Sequence, residues 1–130
     1  QTMENVSDSV KSESIQSFQS TIRKSENALD QMAEKGANTA LIRKRLKAFR
    51  IGLSMLKSTW YQEPHPYTQE ELAEARHVLA GLLPSIKRIY AKSKEGSPQK
   101  TLLERRIKAF QLAVQAIDDF AKRQEEQAGR

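Results

Sequence analysis

One stretch of fourteen residues occurs twice in this chain. Ala40-Leu41-Ile42-Arg43-Lys44-Arg45-Leu46-Lys47-Ala48-Phe49-Arg50-Ile51-Gly52-Leu53 is echoed about sixty residues on by Thr101-Leu102-Leu103-Glu104-Arg105-Arg106-Ile107-Lys108-Ala109-Phe110-Gln111-Leu112-Ala113-Val114. Arg45/Arg106, Lys47/Lys108, Ala48/Ala109 and Phe49/Phe110 are identical. Leu41/Leu102, Ile42/Leu103, Lys44/Arg105, Leu46/Ile107, Ile51/Leu112, Leu53/Val114 and Leu56/Ile117 keep their chemistry. An internal repeat of this kind implies a unit that buries its apolar face against its own copy.

The spacing of the apolar residues makes each unit helical. Ile15, Phe18, Ile22, Leu29 and Met32 recur in steps of three and four, with Ser25 filling a gap, which describes one apolar helix face over about Val10 to Lys35. Ser7 or Ser9 can cap its start, and Gly36 suits a left-handed stop. Asn38 or Thr39 caps a second helix to about Trp60, with Ile42, Leu46, Phe49, Leu53, Leu56 and Trp60 in its core register. Leu41, Ala48, Ile51 and Met55 flank that register. The short connection predicts an antiparallel hairpin.

Tyr61-Gln62-Glu63-Pro64-His65-Pro66-Tyr67 cannot continue a helix, because two prolines stand one residue apart. Thr68 and Glu71 form a capping box that opens a third helix from Gln69 to about Lys94, with Leu72, Ala75, Leu79, Leu82, Leu83, Ile86, Ile89 and Tyr90 as its core candidates. Pro84 inside it predicts a kink near Ala80 to Pro84. Glu95-Gly96 ends that helix, and Ser97-Pro98 begins a fourth to about Arg123. Its core positions are Leu103, Ile107, Phe110, Val114, Ile117 and either Phe120 or Ala121. Phe18, Ile22 and Leu29 align with Leu79, Leu83 and Tyr90 at the offset of the repeat. The expected fold is therefore all-α, an up-down-up-down four-helix bundle of two pseudo-repeated hairpins with its third helix kinked at a proline. It forms one domain over 1–130, with repeats at about 10–60 and 68–121 and frayed tails at 1–8 and 124–130.

Charge is distributed unevenly. Residues 1–36 hold four bases and six acids, whereas 37–60 hold six bases and no acid. Residues 61–100 and 101–130 each hold six bases against five acids, so the second helix carries the whole excess behind a net charge of +6. Lys44, Arg45 and Lys47 recur as Arg105, Arg106 and Lys108, with Arg43 and Arg50 added in the first copy. Arg43, Lys44, Lys47, Arg50, Arg105 and Lys108 are accordingly the candidate anion-binding residues, able to neutralise phosphates of nucleic acid or anionic lipid. The competing reading pairs them with Glu26, Asp30 and Glu34 of the first helix while their stems cover apolar surface. No helix-turn-helix, zinc-finger or RNA-binding signature accompanies them.

Trp60, Tyr61, His65 and Tyr67 gather at the proline loop and form a candidate partner-binding edge, or else a plug that closes one end of the core. Glu74-Ala75-Arg76-His77 has the Glu-x-x-His spacing of bundle metal sites, but its counterpart is Glu13-Ser14-Ile15-Gln16, so no metal is expected. The seryl run from Ser7 to Ser25 reads as polar helix surface. No nucleophile with a partner, glycine-rich phosphate loop or buried carboxylate pair stands out, so neither catalysis nor a cofactor is expected. The absence of cysteine removes disulfides and thiolate chemistry. No apolar run approaches the roughly 20 residues of a membrane span. The polar, partly acidic start to Lys11 resembles no targeting segment, and a cytoplasmic location is the expectation. The sequence thus points to a non-enzymatic protein-interaction or self-associating module, its partner another protein or a second copy of itself. Leu41, Ile51, Met55, Val78 and Leu112 would support this as a contiguous exposed patch. The alternative is binding of nucleic acid or another polyanion through the basic second helix.

Overall fold

The computed structural model describes residues 2–129, and the outermost residues of the two expected frayed tails, Gln1 and Arg130, lie outside them. Among the described residues are four long helices packed together and no strand: α1 (Asp8–Glu34), α2 (Ala40–Tyr61), α3 (Gln69–Lys92) and α4 (Pro98–Ala128). The signals that start them are local. The Ser7 hydroxyl accepts from the Val10 amide, and Thr68 and Glu71 complete the reciprocal capping box. Ser97 accepts from the Lys100 amide, with Pro98 in the first turn of α4. Asn38, not Thr39, supplies the side-chain acceptor at α2, taking the Ala40 N–H at 2.9 Å. Gly36 and Gly96 follow α1 and α3 with φ of +72° and +77°, where a side chain would be strained.

Ends differ from expectation in instructive ways. The N-terminal tail is not loose where described: Met3–Asn5 forms a 3-10 turn that lies against α2 and α4, and Met3 and Val6 are buried in the core. Helix α3 stops at Lys92 because Ser93 turns extended and its hydroxyl donates to the Ile89 carbonyl at 2.8 Å. Helix α4 runs past Arg123 to Ala128, with no glycine or proline to stop it earlier.

Packing is unequal. α2 and α4 each touch all three other helices, whereas α1 and α3 make no close approach to one another among the described residues. The buried residues follow suit: α2 and α4 each bury seven or more, α1 and α3 three each. Lys44 meets Glu74 and Lys47 meets Glu71, so α2 and α3 run in opposite directions. Trp60 lies near Lys11 and His65 lies against Phe120, which gathers the start of α1, the end of α2 and the end of α4 around the proline loop.

Three rings from three helices meet at the centre. Phe18 stacks on Phe110 at 5.3 Å between centroids, and Phe49 tilts against Phe110 at 5.6 Å. Gly52 makes room for this cluster: a Cβ there would stand 2.8 Å from the Phe18 ring and 3.2 Å from Leu79. On α1 the buried stripe is Ser14, Phe18 and Thr21, while Ile15 and Ile22 are only partly buried. Ser14, expected on the polar surface, is therefore interior, and Thr21 satisfies its hydroxyl by donating to the Ser17 carbonyl at 2.8 Å. Ile51 and Met55, each 1% exposed, and Leu112 at 3% are core, so the expected surface patch loses three of its five members. They are buried because α2 and α4 face neighbours on more than one side, which widens their apolar faces beyond a single seam.

Truncating Phe49 or Phe110 to alanine is expected to cost about 3–5 kcal/mol in urea unfolding. Gly52→Ala should destabilise by about 1–3 kcal/mol, although alanine is the better helix former. Combining it with Phe18→Leu should recover part of that loss, a non-additivity that a double-mutant cycle measures.

Candidate functional site

Three of the six bases of α2 are met by acids from its neighbours. Lys44 Nζ lies 2.8 Å from Glu74, Lys47 Nζ 3.0 Å from Glu71, and Arg50 2.7 Å from Glu26. On α4, Arg105 lies 3.0 Å from Glu13. These four of the six expected anion-binding cations thus each hold a carboxylate, and Lys108 is engaged as well. Arg43 turns back along its own helix, its Nε–H donating to Thr39 Oγ1 at 2.9 Å. All of these pairs are solvent-washed, so each contributes little to stability. The Thr68 amide and then the Lys47 ammonium nevertheless hold Glu71 below the ordinary glutamate range, and Lys44 does the same for Glu74. Across the molecule Arg76 clasps Asp118 through Nε at 2.6 Å and Nη2 at 3.1 Å, which raises the guanidinium value further.

The aromatic loop folds inward. His65 stands edge-on to Phe120 at 4.8 Å, stacks near Tyr67, and accepts the Tyr67 amide on Nδ1 at 3.3 Å. Tyr67 packs against the core and Trp60 is buried with its indole Nε1 unpartnered. Of the four expected partner-binding residues, Tyr61 alone is well exposed. The loop closes that end of the core.

The other end is open. A cavity of ≈ 420 Å³ lies between all four helices. Ile42, Phe49, Leu82, Ile86 and Phe110 form its apolar wall, with Leu41 and Met32 also lining it. Thr21 and Ser25 add hydroxyls, and Lys24, Arg45 and Arg106 add cations; no carboxylate lines it. Arg106 is the unusual member. Its Nε is buried without a hydrogen-bond partner, and burial pulls its guanidinium below the ordinary arginine value. An arginine keeps its charge even so, which leaves an uncompensated cation partly withdrawn from water. Arg45 and Arg106 were not among the expected anion-binding residues. Their signal in the sequence was identity in both copies of the repeat, where Arg43 and Arg50 are not reproduced.

Among the described residues, no group of three or more histidine, aspartate or glutamate side chains could hold a metal, and no helix is long and apolar enough to cross a membrane. No family model matches the chain, and neither curated proteins nor solved structures show a detectable similarity to it.

The lowered Glu71 and Glu74 values set a direction for acid sensitivity. Their pairing stabilises the fold above the ordinary glutamate range, and that contribution is lost as pH falls through the depressed values. The melting temperature of the parent should therefore fall on acidification by more than that of the Glu71→Gln/Glu74→Gln double variant, as followed by circular dichroism. Equal falls would mean that the two pairs contribute nothing.

Proposed function

We propose that this chain is a non-enzymatic interaction module that binds another protein or a second copy of itself. The observation that carries this reading is the placement of the exposed large apolar side chains. Leu41 and Leu102 are 58% and 57% exposed and Ile89 50%, while Tyr61, at 48%, stands apart from them at the proline loop. Leu41 rims the open cavity on which Arg106 borders, and Leu102 lines a groove beside Arg105 and Arg106. Exposed apolar side chains gathered at one end of a fold are a common mark of a docking surface. The polyanion alternative keeps Arg43, Arg45 and Lys24 as contacts held by no carboxylate, but Lys44, Lys47, Arg50 and Arg105 would have to leave their carboxylates first.

The same reading extends to architecture. We propose an up-down-up-down bundle of two copies of one hairpin, related so that matching residues of α2 and α4 stand together. In support, Phe49 and Phe110 are in ring contact, Arg45 and Arg106 border one cavity, and Leu41 and Leu102 are both exposed. The bend at Pro84 belongs to this proposal. Its ring has no donor for the Ala80 carbonyl. Leu72, Ala75 and Leu79 ahead of it are buried, while Leu82, Leu83 and Ile86 beside or beyond it are only partly covered. A third helix leaning outward past Pro84 accounts for the cavity.

Sedimentation at rising concentration and fluorescence anisotropy with labelled DNA, RNA and anionic vesicles separate the two functions. The expected result is concentration-dependent or partner-dependent association that Leu41→Glu and Leu102→Glu abolish and that salt leaves nearly unchanged. Binding of DNA, RNA or vesicles that falls steeply with salt, and with Arg43, Lys44, Lys47 and Arg50 changed to glutamine, would install the polyanion reading instead.

A further inference from the structure

We infer that the cavity between the four helices binds a small amphiphilic anion, an unbranched carboxylate whose head meets Arg106 and whose chain lies along Ile42, Leu82 and Ile86. This goes beyond the interaction reading and does not depend on it.

The size, the lining and the charge point the same way. At ≈ 420 Å³ the cavity falls within the roughly 300–1,000 Å³ usual for small-molecule sites. Its wall is aliphatic and aromatic, with polar groups confined to a few positions, the division that orients an amphiphile. Every charged residue that lines it is a cation: Lys24 from α1, Arg45 from α2 and Arg106 from α4. Elsewhere on this molecule, Lys44, Lys47, Arg50, Arg76, Lys100 and Arg105 each find a carboxylate within 3.0 Å. The three cations of the cavity find none; exposed bases such as Lys87 and Lys92 find none either, but Arg106 differs from these in being partly withdrawn from water. The Nε of Arg106 is a buried donor with no acceptor, and a buried donor left unmade is costly enough that native structures rarely keep one. A carboxylate is the acceptor that a guanidinium takes best, through paired N–H donors. Apolar walls then require that the rest of the molecule be hydrocarbon. A nucleotide or a sugar would place its many polar groups against Ile42, Leu82, Ile86 and Phe110, where nothing pairs with them.

Isothermal titration of the full chain with octanoate, octanol and octylamine tests this, with decanoate to read the contribution of chain length. The expected result is saturable binding of one octanoate per chain, tightening with decanoate and at least tenfold weaker for octanol and octylamine. Arg106→Met should weaken octanoate at least tenfold while leaving octanol unchanged, and Arg106→Lys should restore part of the loss. Leu82→Trp fills the cavity and should remove both, with circular dichroism and thermal melts confirming that each variant is folded. Pro84→Ala keeps every lining side chain and should weaken octanoate if the lean of α3 holds the cavity open. Octanol binding as tightly as octanoate, octanoate binding that survives Leu82→Trp, or no saturable heat at millimolar octanoate would each overturn the assignment. Leu41 borders both the cavity and the association surface, so the titrations are run at a concentration where the chain sediments as a single species, and the two readings then fail separately.

Discussion

The seating of Phe18 on Gly52 is the contact on which the rest of the structure depends. A side chain at position 52 would occupy the space of that ring, and the ring in turn stacks on Phe110, which holds Phe49. One α1 residue is thereby fixed against the two helices that contribute most of the core. Interiors are packed as closely as organic crystals, so a ring placed this tightly sets the separation of the elements around it. Small residues continue the theme on α4, where Ala109, Ala113 and Ala116 are fully buried and let backbones approach. The central position of α2 and α4 follows from their broad apolar faces, and α1 and α3 cover them from either side without a close backbone approach to one another.

Electrostatics is organised around the same arrangement. α2 holds six bases and no acid, a concentration that would repel itself if left alone. Acids reach it from both flanks, Glu26 from α1 and Glu71 and Glu74 from α3, while Glu13 answers Arg105 on α4. These pairs do not extend to the cavity, where Lys24, Arg45 and Arg106 face a space lined by no carboxylate. The contrast gives those three residues a meaning that the total charge of the chain does not.

Local chemistry made much of this legible from residues alone. The starts of α1, α3 and α4 lie where Ser7, Thr68 and Ser97 place them, since a capping hydroxyl and its amide are only three residues apart. The turns at Gly36 and Gly96 are legible for the same reason, as they need a backbone conformation that glycine adopts most cheaply. Ser14, Ile51, Met55 and Leu112 were not legible as core, because burial depends on how many neighbours a helix has and periodicity describes only one face at a time. Met3 and Val6 escaped notice likewise, since two apolar residues in a polar stretch form no period.

The sequence by itself determined that this chain is helical, where its helices begin and turn, and that its bases are concentrated on the second of them, because each rests on interactions within a few residues. Tertiary structure alone decided which bases are answered. Lys44 and Arg45 are adjacent and chemically alike, yet Lys44 meets Glu74 while Arg45 lines the cavity with Arg106. Helix geometry turns neighbouring side chains about 100° apart, so only the placement of α1 and α3 around the central pair determines what each one meets.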